Sequence, residues 1–251
     1  MSEHEESNIL TYLRIKPSFT QSESIETLGQ NAIAFNLPQL DAETAQQSFH
    51  FDGIIDVNAT QDEVFEKVGV PAVHNLVEGF NSTIIVYGET GSGKTFTLTG
   101  EPTIHEDGGI ISRAIRMLYN GFNSRSDLQL KASVSYLQLF NEKGYDLLNP
   151  VHDAEPMAEL PKVSIIEDEQ GRFHLPNLSV RLAETEEEAL HLLSIGESNR
   201  AIFEAANNMV PSCLSSYLEK LQLDFTPYYF VFLSRLRRAL TASSRFRWRC
   251  A

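Results

Sequence analysis

The sequence predicts an α/β fold with a central mixed sheet flanked by helices, and three observations carry that prediction. A helix with one apolar face spans the residues from Thr60 to Gly79. The run Thr83-Ile84-Ile85-Val86-Tyr87 follows without polar alternation, the pattern of a strand buried on both faces. That run empties into Gly88-Glu89-Thr90-Gly91-Ser92-Gly93-Lys94-Thr95, which matches G-x-x-x-x-G-K-[ST] at every fixed position. Helix, buried strand and glycine loop, in that order, are the grammar of an α/β unit.

Composition narrows the class further. With 251 residues, 42% hydrophobic and 22% charged, the chain has the makeup of packed globular protein, either one large domain or two small ones. Its 34 acidic and 20 basic residues leave a net charge of -14, which argues against a nucleic-acid partner, because phosphate backbones are met by clustered Lys and Arg. Two cysteines, Cys213 and Cys250, make neither a disulfide framework nor a Cys-based zinc site, and they fit a reducing compartment. Residues 1–8 read as a flexible, acidic N-terminus rather than a signal peptide, and no apolar run reaches the ~18 residues of a membrane span. The expectation is a cytoplasmic protein without a membrane partner. The seven His are scattered, so no metal site is expected beyond a nucleotide's magnesium.

Along the chain, residues 9–16 read as a strand stopped by Pro17, followed by a polar, low-complexity stretch to about Glu43. Ser48 to Phe51 alternates and ends at a turn, Asp52-Gly53. Thr60 and Glu63 form a capping-box pattern that opens the first helix, whose stripe is Val64, Phe65, Val68, Val73, Leu76, Val77 and Phe80. Pro71 is expected to kink it and Gly79 to end it. Beyond the glycine loop, Ala132–Phe140 and Lys162–Ile166 read as strands, and Asp168–Gly171 as a hairpin turn. Thr185 and Glu188 repeat the capping box and open a helix through Ala189, Leu190, Leu192 and Leu193 toward Gly196. No heptad run is long enough for a dimerising coiled coil.

The glycine loop is where the chemistry lies. Its glycines permit positive φ, so backbone N–H groups turn inward and cradle phosphate oxygens. Lys94 is placed to reach the β and γ phosphates, the Thr95 hydroxyl to ligate Mg²⁺, and a helix starting near Lys94 adds its positive end.

The flanking residues carry a more specific signal. Phe51-Asp52-Gly53-Ile54-Ile55, Glu78-Gly79-Phe80-Asn81 and Thr97-Leu98-Thr99-Gly100 surround the loop, with Arg14-Ile15-Lys16-Pro17 before and Gly109-Ile110-Ile111-Ser112-Arg113 after. Ser135 to Glu142 and Tyr145-Asp146-Leu147-Leu148 follow in order. Together these resemble a kinesin motor domain. Leu160-Pro161-Lys162-Val163, Glu167-Asp168 and Thr185 to Leu190 look most like the ninth kinesin subfamily, which is associated with cilia and flagella. The resemblance implies a P-loop NTPase core, a microtubule-dependent ATPase, ATP and Mg²⁺ as cofactors, tubulin as partner and a cytoskeletal location. It implies that Arg14 and Pro17 line the adenine site. Gly88, Glu89, Thr90, Gly91, Ser92, Gly93, Lys94 and Thr95 would hold phosphates and magnesium, with Thr95 the metal ligand and Phe96 a further cofactor contact. Glu89 departs from the family's usual Gln, placing a negative charge beside a triphosphate unless its side chain points away. No residue of the chain is assigned as catalytic.

The resemblance runs from about residue 9 to 212 and then stops. Asn207 to Ser212 approaches the family's first nucleotide switch, with Asn208 at its Asn and Ser212 keeping a hydroxyl, but Cys213-Leu214 replaces its Arg and Ser. The second switch has only a faint echo, Leu223-Asp224-Phe225, which lacks the glycine. The charge changes at the same point. Cys213–Ala251 holds seven basic residues against Glu219 and Asp224, a net of +5, leaving 13 basic and 32 acidic residues in 1–212. The expected domains are therefore 1–8, a partial motor domain over 9–212, and an unrelated basic tail over 213–251 of frame-shifted or intron-derived character. Most of the microtubule contact surface falls in the part not matched. The sheet is expected to keep an open edge and an uncovered apolar face. The alternative function is a nucleotide-binding fragment without motor activity.

Overall fold

A computed structural model describes residues 9–17, 25–36, 46–89, 91–100, 108–123, 130–141, 143–150, 160–170, 173–206, 229–233, 244–245 and 248–250. The N-terminus expected to be flexible (1–8), Gly171, the switch-like residues 207–212 and the echo at 223–225 lie outside them. The chain divides into two compact units, Met1–Thr60 and Gln61–Ala251.

In the first unit, β1 (Tyr12–Arg14) pairs in parallel with β5 (Gly53–Ile55), Tyr12 opposite Gly53. The strand expected over 9–16 is thus three residues long. Asp52 ties the pair together: its carboxylate accepts the Thr11 backbone N–H at 2.6 Å and the Thr11 hydroxyl at 2.9 Å. These bonds hold its pKa below the usual carboxylate value. The stretch read as low complexity contains two strands, which corrects that reading. β2 (Ile25–Leu28), β3 (Ala32–Asn36) and β4 (Gln46–His50) form an antiparallel meander in which Ala32, Ile33 and Ala34 are buried. Phe35 and Phe49 meet edge to face at 5.7 Å across β3 and β4. Every residue of β2 is exposed. A strand with no buried face offers no apolar alternation to read.

The second unit opens with α1 (Gln61–Val64), a π-helical turn (Phe65–Gly69) and α2 (Val70–Val77). The kink expected at Pro71 takes the form of that turn. The Val70 N–H bonds back five residues to the Phe65 carbonyl, inserting the slack a proline ring needs just before Pro71. The helix ends as a Schellman motif, Gly79 N–H to Leu76 O at 2.9 Å and Phe80 N–H to Asn75 O at 2.9 Å. Val64, Phe65, Val73 and Leu76 are buried as the stripe predicts, whereas Phe80, beyond the cap, is 66% exposed.

The main sheet is mixed and eight-stranded. Its path runs β6 (Ser82–Val86), β13 (Tyr229–Leu233), β15 (Trp248–Cys250), β7 (Leu130–Phe140), β8 (Lys143–Asp146), β9 (Lys162–Val163). β12 (Arg181–Ala183) and β14 (Ser244–Arg245) also pair with β7. Outside it, β10 (Ile166–Glu167) and β11 (Phe173–His174) form the hairpin expected around Asp168. β6 stands at one end of this path and is paired on one side by β13, antiparallel, with Tyr229 opposite Val86 and Leu233 opposite Ser82. One sequence reading changes here. β6 itself is not buried on both faces: Ser82 and Ile84 are buried, while Ile85 is 51% and Tyr87, just past the strand, 65% exposed. The apolar run reflects a strand made for cover on both sides, of which one is provided.

Helices α3 (Lys94–Thr99), α4 (Ile110–Asn123) and α5 (Glu186–Ala206) complete the unit. α4 was not anticipated, although Ile110, Ile111, Ala114, Ile115, Leu118 and Tyr119 recur on one buried face. α5 opens with the predicted capping box, Glu188 N–H to Thr185 Oγ1 at 3.1 Å and Thr185 N–H to Glu188 Oε2 at 3.4 Å, and runs ten residues past Gly196. Gly196 does not stop the helix because its role is contact. A Cβ there would lie 2.1 Å from the Tyr136 ring of β7. The Tyr136 hydroxyl donates to Glu197, which also pairs with the buried Arg200.

Candidate functional site

The glycine loop leaves β6 and turns straight into α3. Gly91 (φ +77°) and Gly93 (φ +100°) both lie in the left-handed region, where a side chain would strain the backbone. Ser92 N–H donates to the Glu89 carbonyl at 3.1 Å. At Gly88 space is the constraint, since a Cβ would come within 2.6 Å of Ser92 Oγ. The sequence therefore dictates a tight concave loop whose walls are backbone, the form that presents N–H groups to an anion.

Lys94 is buried, and its ammonium donates to the Gly88 and Glu89 carbonyls at 2.8 Å each. Desolvation lowers its pKa, and the negative charge of Glu89 acts in the opposite direction. Glu89 is exposed, and its charge is felt at Lys94. Thr95 follows, half-buried, and its carbonyl accepts the Thr99 hydroxyl at 3.0 Å. Phe96 is 44% exposed, and its carbonyl takes two bonds, from Gly100 N–H at 3.0 Å and from Gln61 Nε2 at 2.6 Å.

The structure thus brings Gly88, Glu89, Gly91, Ser92, Gly93, Lys94, Thr95 and Phe96 into one segment, while Thr90 lies outside the described residues. Arg14 and Pro17 belong to the first unit; Arg14 is half-buried, and desolvation lowers its pKa. α3 has six residues and ends at Gly100. Gln61 is the residue that sequence reasoning missed. It was read only as part of a helix start, yet it is buried and bonded to this segment.

The donor set fits a magnesium nucleotide. Backbone amides and one buried ammonium suit phosphate oxygens, and Thr95 Oγ1 suits Mg²⁺, a hard ion that takes oxygen ligands. Among the described residues no group of three or more His, Cys, Asp or Glu is placed to hold a metal by itself.

Comparison with known proteins decides the family. The kinesin motor domain family matches residues 14–213. The chain belongs to the kinesin motor-domain family. Kinesin-like protein KIF9 of Mus musculus is 39% identical over 155 residues, 62% of this chain and 19% of that protein. Kinesin-like protein KLP1 of Chlamydomonas reinhardtii is 30% identical over 200 residues, 76% of this chain and 25% of that protein. The chain therefore spans between a fifth and a quarter of the length of these relatives. The solved structure of a fast kinesin superimposes with a TM-score of 0.68 at 21% identity, covering 96% of this chain and 64% of that one. The fold is the α/β kinesin core, and its likeness extends past residue 213, where the family match ends. No described helix is long and apolar enough to cross a membrane.

Proposed function

We propose that residues 88–96 of this kinesin-family chain bind ATP with Mg²⁺, and that the chain serves a motor coupling ATP hydrolysis to movement along microtubules. The observation that carries the reading is the buried Lys94 ammonium held over a loop of positive-φ glycines. In this reading the loop amides orient the triphosphate, and the Lys94 ammonium neutralises charge on its terminal phosphates. Thr95 Oγ1 would hold Mg²⁺, which would supply neutralising charge to the triphosphate. Arg14 and Pro17 serve the adenine, as the family resemblance implies. Tubulin is the partner, and a ciliary or flagellar setting rests on the resemblance to the ninth subfamily.

A second reading is favoured by one observation. The strand beside β6 is antiparallel and comes from residues 229–233, beyond the family match. The chain would then be a nucleotide-binding fragment without motor activity. Calorimetry with MgATP, paired with phosphate release in the presence and absence of microtubules, separates the two. Binding with stimulated release supports the motor, and binding with no stimulated release supports the fragment. Binding that survives Lys94→Ala undiminished rejects the site itself, because that substitution is expected to weaken MgATP at least about 100-fold.

A further inference from the structure

Residues 88–95 include two charged side chains of opposite sign, Glu89 and Lys94, so the formal side-chain charge of the glycine loop is zero. An acid is out of keeping with a loop whose positive-φ glycines present backbone amides to an anion. Its backbone is also fixed there. The Glu89 carbonyl accepts the Lys94 ammonium at 2.8 Å and Ser92 N–H at 3.1 Å, so residue 89 is bound into the loop at two points. From that anchor, bond lengths alone keep the carboxylate within about 10 Å of the ammonium in every rotamer. Such a distance matches the screening length at ~0.1 M salt, so the charge acts on whatever the ammonium holds. Its field already registers at Lys94, where desolvation lowers the pKa and the Glu89 charge works against that fall.

We infer that Glu89 is a specificity-determining residue, disfavouring a bound nucleotide in proportion to its negative charge and so shifting preference from triphosphate toward diphosphate. This role rests on the ATP reading above. In that reading the phosphates lie against Lys94 Nζ, so they share one ammonium with the residue that carries the carboxylate. Coulomb energy is linear in the ligand's charge, and MgATP carries one more negative charge than MgADP. The triphosphate is therefore disfavoured more. Glu89 is exposed, and water around its carboxylate limits the effect to a few-fold for each ligand charge. The amides and the ammonium keep their bonds to phosphate. What Glu89 sets is how steeply affinity rises with ligand charge.

The test uses the full chain and calorimetry with MgATP and MgADP, at ~20 mM and ~500 mM salt, on wild type, Glu89→Gln and Glu89→Asp. At low salt Glu89→Gln is expected to tighten MgATP about tenfold and MgADP about threefold, and at high salt both gains are expected to shrink to within about twofold. Glu89→Asp keeps the charge on a shorter arm and is expected to gain no more than about twofold for either nucleotide. No gain in Glu89→Gln, equal gains for the two nucleotides, gains that persist at high salt, or an equal gain in Glu89→Asp overturns the inference. A steric effect of residue 89 on the loop would produce neither the grading with ligand charge nor the screening. If Glu89→Gln fails to fold, Glu89→Ser, also uncharged, is read the same way. If neither folds, residue 89 is a structural part of the loop and the inference fails. Wild type and Glu89→Gln chains that bind neither nucleotide reject the ATP reading as well, whereas chains that bind both without a charge-graded gain reject only the role of Glu89.

Discussion

The two flanks of the main sheet are built differently. On the β7 flank, β7 pairs with its neighbour in sequence, β8, as well as with β12, β14 and β15, side chains lock the elements around it, and Asp146 lies at the end of β8. Asp146 is fully buried and accepts Leu148 N–H at 3.0 Å and Ser179 N–H at 2.8 Å, so one carboxylate closes two loops. Asn199 of α5 donates to the Leu147 carbonyl at 2.8 Å, and Tyr119 of α4 donates to the Ala183 carbonyl at 2.9 Å. On the β6 flank, the strand carrying the phosphate loop pairs with residues 229–233, at the far end of the chain, and Ile85 stays exposed. The β7–β8 hairpin closes a short loop and side-chain bonds brace it; the β6–β13 pair must close a very long one before any ladder bond forms. Stability is therefore expected to concentrate on the flank away from the nucleotide.

The sharpest way to break this comparison is to strike the β7 flank where it is strongest. Asp146→Ala leaves two backbone donors without their acceptor, and we expect a loss of about 3 kcal/mol in urea denaturation. A loss under about 1 kcal/mol would mean the flank does not depend on its side-chain locks. The complementary change is Val231→Pro, which removes a ladder donor from a strand paired on both sides. Hydrogen exchange of amides in 82–86 is expected to quicken about 100-fold while the β7–β8 ladder stays unchanged. Equal acceleration on both flanks would show the sheet to be one cooperative unit.

How far the sequence could be read follows the same division. The capping box at Thr185 and Glu188, the loop at 88–95 and the end of α2 at Gly79 were legible because each is set by residues within a few positions of one another. β2 and β3 were missed because β2 buries nothing, and α4 because no cap residue marks its start. The pairing of β6 with β13 was illegible for another reason: no local pattern in Tyr229–Leu233 names its partner. Gln61 escaped notice because a single amide beside a helix start carries no spacing signal.

Two smaller predictions sharpen the β7 flank. Thr185→Ala removes the cap on α5 and is expected to cost about 1 kcal/mol, read from the same denaturation curves. Burial, with Glu188 and Glu186 as lesser causes, raises the Tyr119 pKa to about 12 from an ordinary value of 10.0. The unfolded chain therefore loses this proton first. The contribution of the neutral phenol is present below pH ~10 and is lost as pH rises toward ~12. Tyr119→Phe should be less stable than wild type at pH 8, and its stability should fall less steeply between pH 10 and 11.

The antiparallel sense of β13 has a directional consequence. A strand parallel to β6 would release its following segment over the same rim as the glycine loop, where open α/β sheets place segments that respond to a ligand. β13 does the reverse: it enters beside Val86 and exits beside Ser82, at the opposite rim. The start of α4 rests on the backbone of α3, so an occupied loop would have a contact route through α3 into α4. In this chain the nucleotide's arrival would be transmitted by helix packing, with the neighbouring strand turned away from the event.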